Sequence, residues 1–218
     1  QRGMPPTRRT YLTTVGTAAA VGFAGCSGSS GAGETSHSCD LTDREPVAEL
    51  SQPVAGPSDA AVTVDVFEDF ACPHCADFAT GGLSRLKDEY LDGGNVRFRH
   101  FDFPIPVSEW SGRVANAARS IQDTQGDAAF FEFSLAAYEN IDNYSWQLIG
   151  DLAEEVDTEP CRVLSDADGG TYDKVIEADQ TKGESRGVSG TPAAVVDGQL
   201  LEGAARYENV SSAIDDAL

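Results

Sequence analysis

Apolar and polar residues alternate between Ala61 and Phe67, with Val62, Val64 and Val66 on one side and Thr63, Asp65 and Phe67 on the other. A period of two predicts a strand. Past Pro73 the spacing changes to that of a helix, with Phe78, Leu83, Leu86 and Tyr90 along one side and Asp92-Gly93-Gly94 as its stop. Gly81-Gly82 interrupts this helix and predicts a kink. Val96-Arg97-Phe98-Arg99-His100-Phe101 reads as a second core strand. Strand, helix and strand in that order open a crossover unit.

From Ser108 to Gly187 the pattern is helical throughout. Trp110, Val114, Ala117, Ala118 and Ile121 recur at three and four, as do Phe130, Phe133 and Ala137, and then Trp146, Ile149, Leu152 and Val156. These aromatics read as core rather than as a cofactor-binding surface. A further helix is predicted around Tyr172 to Gln180. Ala193 to Val196, a turn at Asp197-Gly198, and Leu200-Leu201 predict an antiparallel hairpin, and Ala204 to Leu218 a closing helix. Ala48 to Val54 reads as an edge strand, because Pro53 and Gly56-Pro57 exclude it from a sheet centre. No internal repeat is present.

The amino end differs in charge and texture. Residues 1–25 hold Arg2, Arg8 and Arg9 and no acid, followed from Tyr11 to Gly25 by a weakly apolar run rich in Ala, Gly and Thr. That run falls short of the ~18 residues of a spanning helix, and the pattern is that of an export signal. Arg8-Arg9 followed by Tyr11-Leu12 resembles a twin-arginine signal. Phe23-Ala24-Gly25-Cys26 resembles a lipobox with Phe23 in place of the usual Leu, which makes Cys26 the candidate lipidation site and mature amino terminus. Residues 26–47 are mainly Ser, Gly, Thr and acid, too poor in apolar side chains to order themselves, and are expected to form a flexible tether. The packed domain is expected over residues 48–218, with a helical insertion at about 108–187. That length suits one domain rather than two.

The chain carries 36 acidic residues against 15 basic ones, a net charge of -21. Only Lys87, Lys174 and Lys182 are lysines. This balance excludes nucleic acid as a partner. It resembles the composition of proteins from extreme halophiles, where molar salt shortens the Debye length to about 3 Å and screens self-repulsion.

Cys72-Pro73-His74-Cys75 lies at the start of the first predicted helix. Two cysteines at this spacing can close a reversible disulfide, and the unpaired N–H groups and positive dipole end of a helix favour the thiolate of the first. Zinc is the other chemistry open to such a pair. A closed tetrahedral site needs a second ligand pair, and His37, His100, Cys39 and Cys161 show no such spacing. No metal is expected.

Phe67-Glu68-Asp69-Phe70-Ala71-Cys72-Pro73-His74-Cys75 is similar to the active-site segment of DsbA-like thioredoxin-fold proteins, and Gly187-Val188-Ser189-Gly190-Thr191-Pro192 to their cis-proline segment. The resemblance covers roughly Ala48 to Leu218. It implies an α/β thioredoxin fold with the helical insertion between the second core strand and the cis-proline hairpin. It further implies a thiol:disulfide oxidoreductase that introduces disulfides into exported proteins. Cys72 would be the nucleophile and Cys75 the resolving cysteine, with Pro73 and His74 favouring the reduced enzyme. Thr191-Pro192, if cis, would present a backbone edge to an extended substrate. Six residues before the first cysteine such proteins commonly place a buried carboxylate that moves protons at the second. Val66 stands there, and Asp65 and Asp69 are expected to face elsewhere.

Thiol exchange needs no cofactor, and no cofactor motif is present. The implied partners are cysteine-containing exported proteins, a membrane or soluble redox partner, and the cell membrane through the lipid at Cys26. With Cys26 lipidated and Cys72 paired to Cys75, Cys39 and Cys161 remain. An oxidising exterior would favour their pairing as a structural disulfide, against which stands the position of Cys39 in the expected tether. Two other readings stay open: a reductase or isomerase using the same dithiol, and a redox-inactive binding or chaperone module.

Overall fold

The structure, a computed structural model, describes residues 37–105, 108–201 and 203–218. The signal-like segment and Cys26 lie outside them. Strand β1 is Val54–Ala55, β2 Val62–Glu68 and β3 Val96–Asp102. The hairpin strands are β4, Ala193–Val196, and β5, Gln199–Leu200. They form one five-stranded sheet in the order β1-β3-β2-β4-β5. β2 and β3 are parallel, in register from Val62 against Val96 to Glu68 against Asp102. β4 runs antiparallel to β2, with Val66 opposite Ala194 and Phe67 opposite Ala193.

The alternation read in the sequence decides what covers each face. Val62, Val64 and Val66 pack with Phe98, Leu86, Val210 and Ile214. These last three come from the helix after the cysteines and from the terminal helix. Phe67 turns to the other face and packs with Phe101, Phe103, Val188 and Val195. The helix after the cysteines has three parts: α1, Pro73–Asp77, a π-helical stretch Phe78–Leu83, and α2, Ser84–Tyr90. The π stretch contains the glycine pair that predicts a kink. A Cβ at Gly82 would stand 2.9 Å from the Phe78 ring and 3.3 Å from the Tyr207 nitrogen. Glycine therefore lets the bulge seat against the start of the terminal helix.

The insertion is a block of five helices: α3, Trp110–Gln125, α4, Asp127–Glu139, α5, Trp146–Glu155, α6, Pro160–Gly169, and α7, Asp173–Ser185. α6 has no counterpart among the apolar repeats. Its ends are set by polar chemistry: the Glu159 carboxylate accepts from the Cys161 and Arg162 N–H groups, Pro160 occupies the first turn, and Gly170 closes it at φ 64°. Helix α8, Tyr207–Ala217, ends the chain.

Residues 37–47 depart from the expected flexible tether. The Cys39 and Cys161 sulfurs are bonded to each other. The His37 ring hydrogen bonds Asp151 at 3.0 Å and occupies the space a Cβ at Gly150 would need. Arg44 reaches the buried Asp166 at 2.6 Å, the Thr42 N–H donates to Ser165 Oγ at 3.2 Å, and the Val47 N–H donates to the Thr171 carbonyl at 2.8 Å. A covalent bond and polar contacts hold this strap to the insertion helices, whereas composition registers only its lack of apolar residues. The edge strand expected over Ala48 to Val54 shrinks to the two residues of β1, since pairing with β3 reaches only Val54 and Ala55.

Candidate active site

β2 ends at Glu68, and a tight turn delivers the chain into α1. Asp69 builds that turn. Its carboxylate accepts from Ala71 N–H at 2.7 Å, Ile105 N–H at 2.7 Å and Ser111 Oγ–H at 3.0 Å. Its backbone carbonyl accepts from Cys72 N–H. Tyr144 Oη–H donates to the Phe70 carbonyl at 2.9 Å, tying the same turn to the insertion. Burial raises the Asp69 carboxyl above the ordinary carboxylate range, opposed by these hydrogen bonds.

Cys72 is the N-cap of α1, with Pro73 at the first helical position where its missing N–H costs nothing. Cys72 and Cys75 are free thiols, 5% and 0% exposed. They pack with Phe70, Val114, Phe133 and Tyr138, so the insertion forms the wall behind the pair. Cys72 Sγ lies 3.7 Å from the Thr191 carbonyl oxygen, and the Thr191-Pro192 peptide bond is cis. Strand pairing explains this approach: β4, which follows Pro192, lies beside β2, which precedes the turn to Cys72. Segments separated by 119 residues in the chain thereby meet at one sulfur. Grooves flank Pro192 on both sides. One, of about 410 Å³, is lined by His74, Asp77, Arg206 and Glu208. The other, of about 380 Å³, is lined by Val188, Gly190, Leu200 and Leu201. His74, exposed like Pro73, faces the first groove.

The carboxylate missing at Val66 stands two residues further along the same face of β2, as Glu68. It is 2% exposed. Burial and then the charge of Glu68 push the Cys75 thiol far up, partly offset by the Asp69 N–H donated to its sulfur at 3.5 Å. Glu68 Oε2 lies 3.3 Å from His100 Nδ1, and His100 Nε2 lies 3.1 Å from Asp102 Oδ1. Asp102 in turn accepts from Arg119 Nε at 2.6 Å, and Arg119 also pairs with Asp179. Glu68, His100, Asp102, Arg119 and Asp179 thus form one buried ionic chain behind the cysteines. Burial disfavours the charged imidazole, yet hydrogen bonds to Asp102 and Glu68 leave His100 raised above its ordinary value. Burial also pushes Asp179 up to about 6, against the pull of Arg119.

None of these five was a sequence candidate for the site. Glu68 had a signal, since period two puts it on the Val62-Val64-Val66 face; only its offset from the usual position hid it. Asp65, as expected, faces away, held bidentate by Arg99 at 2.6 and 2.8 Å. A cavity of about 300 Å³, lined by Glu68, Lys87, His100, Phe131, Ser134 and Tyr138, leads to the buried carboxylate. Glu68 Oε1, Ser134 Oγ and Tyr138 Oη have no hydrogen-bond partner among the described residues. Burial lowers the Lys87 ammonium to about 8, opposed by the charge of Glu68.

This architecture is shared with proteins of known name. The thioredoxin family model matches residues 49–216. "Disulfide bond formation protein D" of Bacillus subtilis is 24% identical over 173 residues, covering 77% of each chain. "Probable disulfide bond formation protein D" of Bacillus cereus is 28% identical over 183 residues, covering 80% of this chain and 82% of the relative. Among solved structures, oxidised BdbD of Bacillus subtilis superimposes with a TM-score of 0.70 at 23% identity, over 80% of this chain and 98% of that one. DsbA of Chlamydia trachomatis does so at 0.68 and 16% identity, over 80% and 96%. The chain belongs to the thioredoxin family, as a DsbA-like thiol:disulfide oxidoreductase.

Proposed function

We propose that this oxidoreductase works outside the cytoplasm as a disulfide donor to exported proteins. A substrate thiolate attacks the Cys72 sulfur of the Cys72–Cys75 disulfide. The substrate–Cys72 mixed disulfide forms and Cys75 leaves as a thiolate that takes up a proton. A second substrate thiolate then attacks the substrate sulfur of the mixed bond, releasing oxidised substrate and the Cys72 thiolate. Two electrons pass to the enzyme, and a membrane or soluble redox partner removes them to restore the disulfide. The names of the relatives, disulfide bond formation proteins, support this direction.

The observation that carries the reading is the placement of Cys72. It caps the helix, 3.7 Å from the Thr191 carbonyl, next to the cis Pro192 that two grooves border. Pro73 and His74 complete the dipeptide that the family resemblance links to oxidation. Glu68 is the acid that exchanges the Cys75 proton, and the cavity beside it is large and polar enough to admit water as the route onward. The Cys39–Cys161 bond supports an oxidising location, because such bonds persist outside the reducing cytosol. No helix among the described residues is long and apolar enough to cross a membrane. Attachment rests in this reading on a lipid at Cys26, with the twin-arginine-like leader as the export route. The net charge of -21 suits a high-salt medium.

The test is oxidative refolding of a reduced, disulfide-dependent enzyme. The oxidised chain is expected to restore activity stoichiometrically, Cys72→Ser to do nothing, and Cys75→Ser, loaded at Cys72 with glutathione disulfide, to exchange the glutathione for a mixed disulfide with a single-cysteine substrate. Catalysed loss of substrate disulfides instead would favour a reductase, and absence of exchange would leave a redox-inactive module.

A further inference from the structure

In a chain this rich in acid, most of the described arginines take a carboxylate partner. Arg44, Arg99, Arg113, Arg119, Arg162 and Arg186 each hold a carboxylate. Arg85 stacks on Tyr207 and Arg97 bonds Thr63 and Ser58. Among the described arginines, only Arg206 has a side chain with no ion pair, hydrogen bond or ring contact. It is exposed and lines the charged groove with His74 and Pro192.

Two features fix Arg206 there. The Ala205 N–H donates to the Pro192 carbonyl at 2.9 Å, pinning the residue before it against the loop that meets Cys72. Arg206 is also the N-cap of α8 and makes no capping bond. A guanidinium has no acceptor for the first-turn N–H groups, so Ser, Thr, Asp or Asn would serve the helix better. Helix stability does not account for an arginine at this position. Asp77 and Glu208 line the same groove without pairing to Arg206, and Glu208 sits in the first turn of α8, where the helix end already favours its charge. On the other side of Pro192 the described residues that line the groove are uncharged, with Leu200 and Leu201 in its wall.

We propose that Arg206 selects substrate segments carrying an aspartate or glutamate close to the reacting cysteine. The segment lies extended across Pro192, with an acidic side chain in the Arg206 groove and an apolar one against Leu200 and Leu201. The fork of guanidinium donors suits a carboxylate bidentately. This rests on the disulfide-donor reading and deepens it, naming the substrate class the site prefers.

The test uses the oxidised full-length chain and dithiol peptides that differ only in bearing Asp, Asn or Lys, placed in turn within three residues of the first cysteine. Single-turnover oxidation, followed by separation of reduced and oxidised peptide, gives each rate. The readout is the Asp-to-Lys rate ratio, compared between wild type, Arg206→Ala and Arg206→Glu at moderate salt. Division by the variant's ratio removes the peptides' own thiol acidity. In at least one register the ratio is expected to fall roughly fivefold in Arg206→Ala, the scale of one partly screened ion pair, and further in Arg206→Glu. Ratios unchanged by both substitutions in every register overturn the proposal and leave the donor reading intact. Failure of wild type to oxidise any peptide overturns both.

Discussion

Glu68 Oε2 and His100 Nδ1 meet 3.3 Å apart inside the core, and the same carboxylate acts electrostatically on the Cys75 thiol. β2 and β3 are parallel neighbours, so residues near their ends share one neighbourhood. The cysteine motif and the buried acid are thereby joined through Cys75.

Substituting Glu68→Gln separates its two effects. Loss of the negative charge removes one of the causes holding Cys75 up, so alkylation of Cys75 is expected to titrate at lower pH. Loss of the proton carrier is expected to slow attack of Cys75 on a Cys72 mixed disulfide by about a hundredfold or more, the range of general acid–base steps. Stopped-flow release of a chromophoric thiol from Cys72 measures this. Unchanged or faster release in Glu68→Gln would mean that the carboxylate acts through charge alone.

His100 sets a pH dependence of stability. Its folded-state value lies above the ordinary 6.5, so protonation favours the fold. The contribution is complete below about pH 6.5 and is lost as pH rises through the raised folded value. The denaturant midpoint of wild type is expected to fall over that window, with a smaller fall in His100→Gln. Equal slopes in the two proteins would remove His100 from the account. Asp179, raised to about 6, acts in a separate window, its contribution being lost as pH rises from 3.8 to about 6.

The Cys39–Cys161 bond closes a loop with a sequence separation of 122. Replacing both cysteines by serine is expected to lower stability by on the order of 4 kcal/mol on the chain-entropy model. It is also expected to speed hydrogen exchange at Val47 N–H, which bonds Thr171. Chemical denaturation and exchange measurements check both. Thiol exchange at Cys72 should survive, since the strap does not line the grooves beside it. An unchanged midpoint would mean that the ion pairs of His37 and Arg44 hold the strap unaided.

Much of this was legible in the chain. Period two gave β2, its flanking signals gave the helix and β3, and the cysteine pair and Thr191-Pro192 sat where the resemblance placed them. What escaped has a common cause. The strap at residues 37–47 and the chain from Glu68 to Asp179 are organised by polar contacts between distant residues, and hydrophobic periodicity carries no record of such pairs. Arg119 illustrates it: it stands among the apolar repeats of α3 and is 0% exposed because Asp102 and Asp179, distant in the chain, meet it there. Glu68 escaped more narrowly, by two residues along one face.

The central claim is that Cys72–Cys75 donates disulfides, and the reduction potential of the pair in the full-length protein, equilibrated against glutathione at high salt, tests it most directly. A potential well above the roughly -270 mV of thioredoxin is expected, toward the oxidising end of the family range. A value as reducing as that of thioredoxin would contradict it.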